Sequence, residues 1–192
     1  TEELQLAYEA TNKVKELDTK NKYTPEIAPR QGVFSKHFEN KGIACYNAKV
    51  YADALPMFEK AIEINTALGI VDSNNTNNAA IVAERSKNYE RAKVHYQKLI
   101  DMKFGKAATY NSLANIYLTL NDAEGAKAVI QKGLVAYPDD LNLVIAETNF
   151  ALKSGENQKA IDNLNIAIKK MPNDANLYLV LGNVFDNLAN PK

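Results

Sequence analysis

The chain has 192 residues, 46% of them hydrophobic, and carries 23 Lys+Arg against 23 Asp+Glu for a formal net charge of zero. This composition supports a sizeable core and excludes a disordered chain, and it argues against nucleic-acid or anionic-membrane binding, both of which need a basic face. One cysteine, Cys45, excludes an intrachain disulfide framework and a multi-cysteine metal site. The longest apolar runs, Ala79 to Ala83 and Leu177 to Leu181, fall far short of the roughly 18 residues that span a bilayer. The sequence starts at Thr1 and reads as a trimmed or mature fragment, for which cytoplasm and export are both open.

In chain order, Ala7, Val14 and Leu17-Asp18-Thr19 predict a first helix. Tyr23 to Gly32, with Pro25 and Pro29, reads as an irregular connector, so that 1–32 is an N-terminal helix plus a Pro-containing link. A clock then sets in. Ala54, Ala92, Ala126 and Ala160 follow one another at intervals of 38, 34 and 34 residues. Four residues after each stands a bulky residue (Phe58, Tyr96, Ile130, Leu164), and seven after stand Ala61, Leu99, Gly133 and Ala167. These spacings trace one stripe of a helix. Sixteen, twelve and nine residues before the same alanines lies a second helical stripe, for example Phe38, Gly42 and Cys45, or Tyr110, Ala114 and Tyr117. Each unit is therefore two amphipathic helices joined by a tight turn: 33–68, a degenerate 73–106, 107–140 and 141–174. The interval of 38 implies a four-residue insertion at 69–72, read as a longer loop or an extended helix end. Residues 175–192 carry Tyr178, Leu181, Gly182 and Phe185 and predict one more first helix, as a partial repeat or a cap.

Tyr110, Leu113, Ala114, Tyr117, Ala126 and Pro138 stand at the spacings of the tetratricopeptide repeat (TPR), and Val144, Ala151, Gly155, Ala160, Ala167 and Pro172 repeat the match. The chain thus resembles the TPR family. The resemblance implies an all-α solenoid, a right-handed superhelix of antiparallel helix pairs, with about four TPR units and a partial helical element at each end.

Nothing in the sequence points to catalysis. His37 and His95 lie in different units, without a His, Cys or carboxylate at a recurring ligand spacing. They read as surface or packing histidines, and Cys45 as a buried small hydrophobe. No Gly-rich phosphate loop, HExxH or nucleophile elbow occurs. Asp139-Asp140 and Asn173-Asp174 read as helix starters. No catalytic, cofactor-binding or metal-binding residue is expected, and the chain is not read as an enzyme.

The resemblance places a concave binding face on the first helix of each pair. On that face one row holds Asn115, Asn149 and Asn183, preceded by Ile43 and Ile81, and Asn77 and Asn111 lie one turn away. An Asn amide both donates and accepts, so a row of them can hold the backbone of an extended peptide without reading its side chains. Arg85 and Lys153, with Tyr46, are the charged and aromatic contacts expected on or near this face. The competing reading is solvated surface, because Asn also occurs on other faces, as at Asn47, Asn163, Asn165 and Asn187. Glu39 stands where a first Lys is needed, which argues against the family's C-terminal carboxylate clamp. The expected function is a non-catalytic scaffold binding a protein or peptide partner. Two alternatives stay open: self-association through a Leu177/Tyr178/Leu181/Phe185 stripe on the terminal helix, and a small ligand or glycan on the inner face.

Overall fold

A computed structural model describes residues 2–190, and among them it contains ten helices and no strand. The chain divides into two compact units, Thr1–Met102 and Lys103–Lys192. The first holds α1 (Glu2–Leu17), α2 (Thr24–Asn47), α3 (Tyr51–Ala67), α4 (Ser73–Arg85) and α5 (Tyr89–Asp101). The second holds α6 (Ala107–Thr119), α7 (Ala123–Ala136), α8 (Leu141–Lys153), α9 (Asn157–Lys170) and α10 (Ala175–Ala189). Helices α4, α6, α8 and α10 start at Ser73, Ala107, Leu141 and Ala175, a constant step of 34 residues. The fold class is thus an all-α solenoid of helix pairs.

In the first unit α2 packs on α3, α3 on α4 and α4 on α5. Small residues set the approach distance: Ala54, Ala61, Ala79, Ala80, Ala83 and Ala92 are fully buried. Gly42 matters most, because a Cβ there would lie 2.9–3.0 Å from three ring atoms of Phe58. Helix α1 seats Tyr8 edge-on against Phe34 and Phe38, with ring centroids 5.6 and 5.3 Å away. Together with Ala61 and Ile64 these rings form the core of that end. In the second unit α6 packs on α7, α7 on α8, α8 on α9 and α9 on α10. Val144, Leu164, Ala167, Leu177 and Val184 form a core there.

The turns inside four pairs share one geometry. Lys49, Lys87, Asn121 and Gly155 all have positive φ, between 60° and 74°. The next residue's N–H then reaches back to the carbonyl of Cys45, Ala83, Tyr117 or Ala151, at 2.7–3.0 Å. This is a Schellman closure, which satisfies carbonyls that the helix end leaves orphaned. Asn88 and Asp122 then cap the following helix by accepting from the N–H groups of Arg91 and Gly125. Lysine is a poor occupant of the left-handed region, which costs roughly 1–2 kcal/mol for a residue with a Cβ. Glycine's greater chain entropy takes back about 0.5–1 kcal/mol of that. Lys87→Gly is therefore expected to stabilise the protein by about 0.5–1 kcal/mol, read as a higher thermal midpoint. A lowered midpoint would refute strain at this turn.

Three sequence expectations need correction, and one open alternative is decided. Tyr23 to Gly32 is not an irregular connector: α2 runs from Thr24 through both prolines. Pro25 occupies the first turn, where its missing N–H costs nothing. The Asp18 carboxylate supplies the cap, accepting from the N–H groups of Lys22, Tyr23 and Thr24 at 2.8, 2.7 and 3.1 Å. Next, of the two readings of the four-residue insertion, a longer loop or an extended helix end, the structure shows the second. Helix α3 has 17 residues where α5 has 13, and the links 68–72 and 102–106 are equally long. Further, Cys45 is half-buried, not buried. Last, the terminal stripe is split. Leu177 is fully buried and Leu181 half-buried against the α9 side, while Tyr178 and Phe185 are exposed.

Candidate functional site

Helices α4, α6 and α8 each have 13 residues, so equal positions along them can be compared directly. The fifth position holds Asn77 and Asn111, the ninth Asn115, Asn149 and (in α10) Asn183, and the thirteenth Arg85 and Lys153. Steps of four keep these positions on one face. Asn77 and Asn111 are half-buried, and Asn111 Nδ2 donates to the Ala107 carbonyl of its own helix at 3.4 Å. Asn115, Asn149, Lys153 and Asn183 are exposed. Of the seven residues picked from the sequence, the second unit therefore holds Asn111, Asn115, Asn149, Lys153 and Asn183, with α6 packed directly on α8. Asn77 and Arg85 belong to the first unit.

Arg85 is tied to aromatic rings. Its guanidinium carbon lies 5.5 Å from the Tyr46 ring centre and 5.4 Å from that of Tyr51. Its Nη1 donates to the Tyr51 hydroxyl at 3.1 Å, and this bond is the main reason its pKa is raised. Beside it, Ile43, Tyr46, Phe58, Asn78 and Ile81 line a pocket of about 180 Å3. Sequence reasoning had Tyr46 and Arg85 but missed Tyr51, Asn78 and the pocket. Tyr51 opens the second helix of its pair, on a side the repeat template assigns to no binding row.

Two polar clusters also escaped the sequence. His95 is only 6% exposed, and its Nε2 lies 2.7 Å from Glu59 Oε1. Arg91 Nε donates to the same oxygen at 2.8 Å. Burial pushes the His95 pKa below its ordinary value, and Glu59 pulls it the other way. In the second unit Glu147 is 4% exposed and takes Lys159 Nζ on Oε1 at 2.8 Å. That bond is the main cause of the raised Lys159 pKa. Lys159 also approaches Glu156, whose pKa Lys127 lowers across a 3.4 Å contact. The Glu59 and Lys127 contacts span 29 to 36 residues and join neighbouring units, so a search within single units does not find them. Glu147 and Lys159 share the unit 141–174 but come from its two different helices.

Among the described residues no group of three or more His, Cys, Asp or Glu could hold a metal ion. Among the same residues no helix is long and apolar enough to cross a membrane.

Helix pairs at a 34-residue step, with anchor alanines inside and polar rows outside, define a tetratricopeptide-repeat protein. The chain belongs to the ChAPs family, the Chs5p-Arf1p-binding proteins, whose sequence model matches residues 22–192. Solved structures with a similar fold include YrrB, described as a TPR protein with an unusual peptide-binding site. It shares 15% identity at a TM-score of 0.60, over 81% of this chain and 78% of that one. A MamA structure shares 12% identity at a TM-score of 0.65, over 81% and 82%. A tetratricopeptide repeat protein from Parabacteroides merdae ATCC 43184 shares 16% identity at a TM-score of 0.58, over 97% and 67%. No curated protein matches the chain.

Proposed function

We propose that this chain is a non-catalytic interaction scaffold whose first helices hold an extended segment of a partner protein. The observation that carries the reading is the exposed row Asn115, Asn149 and Asn183, at one register position of α6, α8 and α10. Each amide offers a donor and an acceptor to a peptide backbone, and Lys153 adds a cation on the same face. The helices are already in place, so binding orders mainly the peptide. The family's description as proteins that bind Chs5p and Arf1p supports a protein partner. Asn77 and Arg85 serve the same role on the first unit.

A hydrogen bond of this kind contributes about 0.5–1.5 kcal/mol net, so losing two weakens binding by about 30-fold. The double variant Asn115→Ala/Asn149→Ala is expected to show that loss toward a peptide selected on the wild-type protein from a display library. Its far-UV circular dichroism should be unchanged, because both side chains are exposed. Equal affinity of the two proteins for the selected peptide would discard the asparagine row.

A further inference from the structure

In the first unit the slot beside Arg85 combines an apolar hole with a held cation. Phe58, 1% exposed, lines it together with Ile43, Tyr46, Ile81 and the polar Asn78. A cavity of roughly 150 Å3 accepts a benzene-sized group, so about 180 Å3 is room for one aliphatic side chain and too little for a helix. Tyr46 is shared: it lines the slot and also faces the guanidinium. Two rings and the Tyr51 hydroxyl hold Arg85, and its remaining N–H groups lie in the guanidinium plane, the geometry that takes a carboxylate bidentately. Arg85 is exposed and forms no ion pair among the described residues. Its neighbour Glu84 accepts from the Tyr96 hydroxyl at 2.6 Å, while its charge still contributes to the raised Arg85 pKa. Lys49 and Lys87, both exposed, add positive charge at the adjoining turns.

We propose that this slot docks an extended partner segment carrying an aliphatic and an acidic side chain two residues apart. The spacing follows from the helix. Ile81 and Arg85 are one turn apart, about 6 Å along α4. In an extended chain, residues i and i+2 face the same way and lie about 6.7 Å apart. An aliphatic side chain in the slot therefore brings a carboxylate at i+2 or i−2 to the guanidinium. The proposal rests on the scaffold reading, yet its groups lie in a different unit from the asparagine row.

The test is a titration of the full 15N-labelled chain, followed by its amide resonances. The probes are acetyl-Gly-Leu-Ser-Glu-Gly-amide and the reversed order acetyl-Gly-Glu-Ser-Leu-Gly-amide. At least one is expected to move the resonances of Ile43, Tyr46, Ile81 and Arg85. Replacing its Glu by Gln should weaken binding about tenfold. Arg85→Gln, an exposed change that leaves the core intact, should abolish the preference for Glu over Gln. Three results overturn the proposal: no movement of these resonances with either probe, equal binding of the Gln probe, or a preference that survives Arg85→Gln. Movement confined to Asn115 and Asn149 overturns the slot while leaving the scaffold reading standing.

Discussion

Phe58→Ala lowers the unfolding free energy of the Thr1–Met102 unit by about 3–5 kcal/mol, the cost of removing a fully enclosed ring. Phe58 is 1% exposed and its ring sits directly over Gly42. The neighbouring helices are held by fully buried alanines and cannot collapse far into the void. The same contact predicts a coupling. Gly42→Ala gains about 1 kcal/mol of helix propensity, but it drives a Cβ to 2.9 Å from the ring. Overpacking of that kind costs about 1–3 kcal/mol, so the single variant is destabilised on balance. With Phe58→Ala already present the clash is gone, and the added methyl should become favourable. Urea unfolding of the four proteins of this cycle, followed by circular dichroism, reads the coupling. Additive effects would show that the two residues do not share one packing site.

Lys159→Ala should cost the second unit about 2–3 kcal/mol, although Lys159 is itself a surface residue. Its partner Glu147 is 4% exposed, with Oε2 buried and without a hydrogen-bond partner among the described residues. Breaking a buried pair from one side costs about 3–5 kcal/mol because a charge is stranded. Lys159 is 41% exposed, so water partly replaces it and the lower figure applies. The control is Glu147→Leu/Lys159→Met, which removes both charges and should return stability to within about 1 kcal/mol of wild type. Hydrogen exchange of the α8 amides would follow the effect locally. Unchanged protection in Lys159→Ala would mean that the pair carries no stability.

The repeat was readable because packing in a solenoid is local. Ala54, Ala92, Ala126 and Ala160 must be small wherever two helices touch, so the constraint recurs at each step and shows as a period. All four are fully buried. What does not recur left no period. The α2 start depends on Asp18, whose carboxylate reaches four to six residues ahead, and a proline count alone reads that stretch as broken. The Arg85 cluster depends on Tyr46 and Tyr51, which come from two helices and pair only once. Glu147 falls in a helix stripe at a position where other units carry an apolar residue, Ala79 or Leu113. A single charge in an apolar column was the signal there. The asparagine row was legible as a register, because residues 34 apart take equal positions on equal helices.

The extra turn of α3 says something about how such a chain can change length. Each residue turns a helix by about 100°, so four advance it by a full circle and about 40° more. The inner stripe therefore stays in phase: Phe58, Ala61, Ile62 and Ile64 are all still buried. An insertion of two residues would have turned the distal half of that stripe by about 200°, putting Ile64 into water and solvent-facing groups into the core. Length in this architecture is thus quantised by the screw of the helix. A variant with seven further residues in α3 should be tolerated far better than one with five.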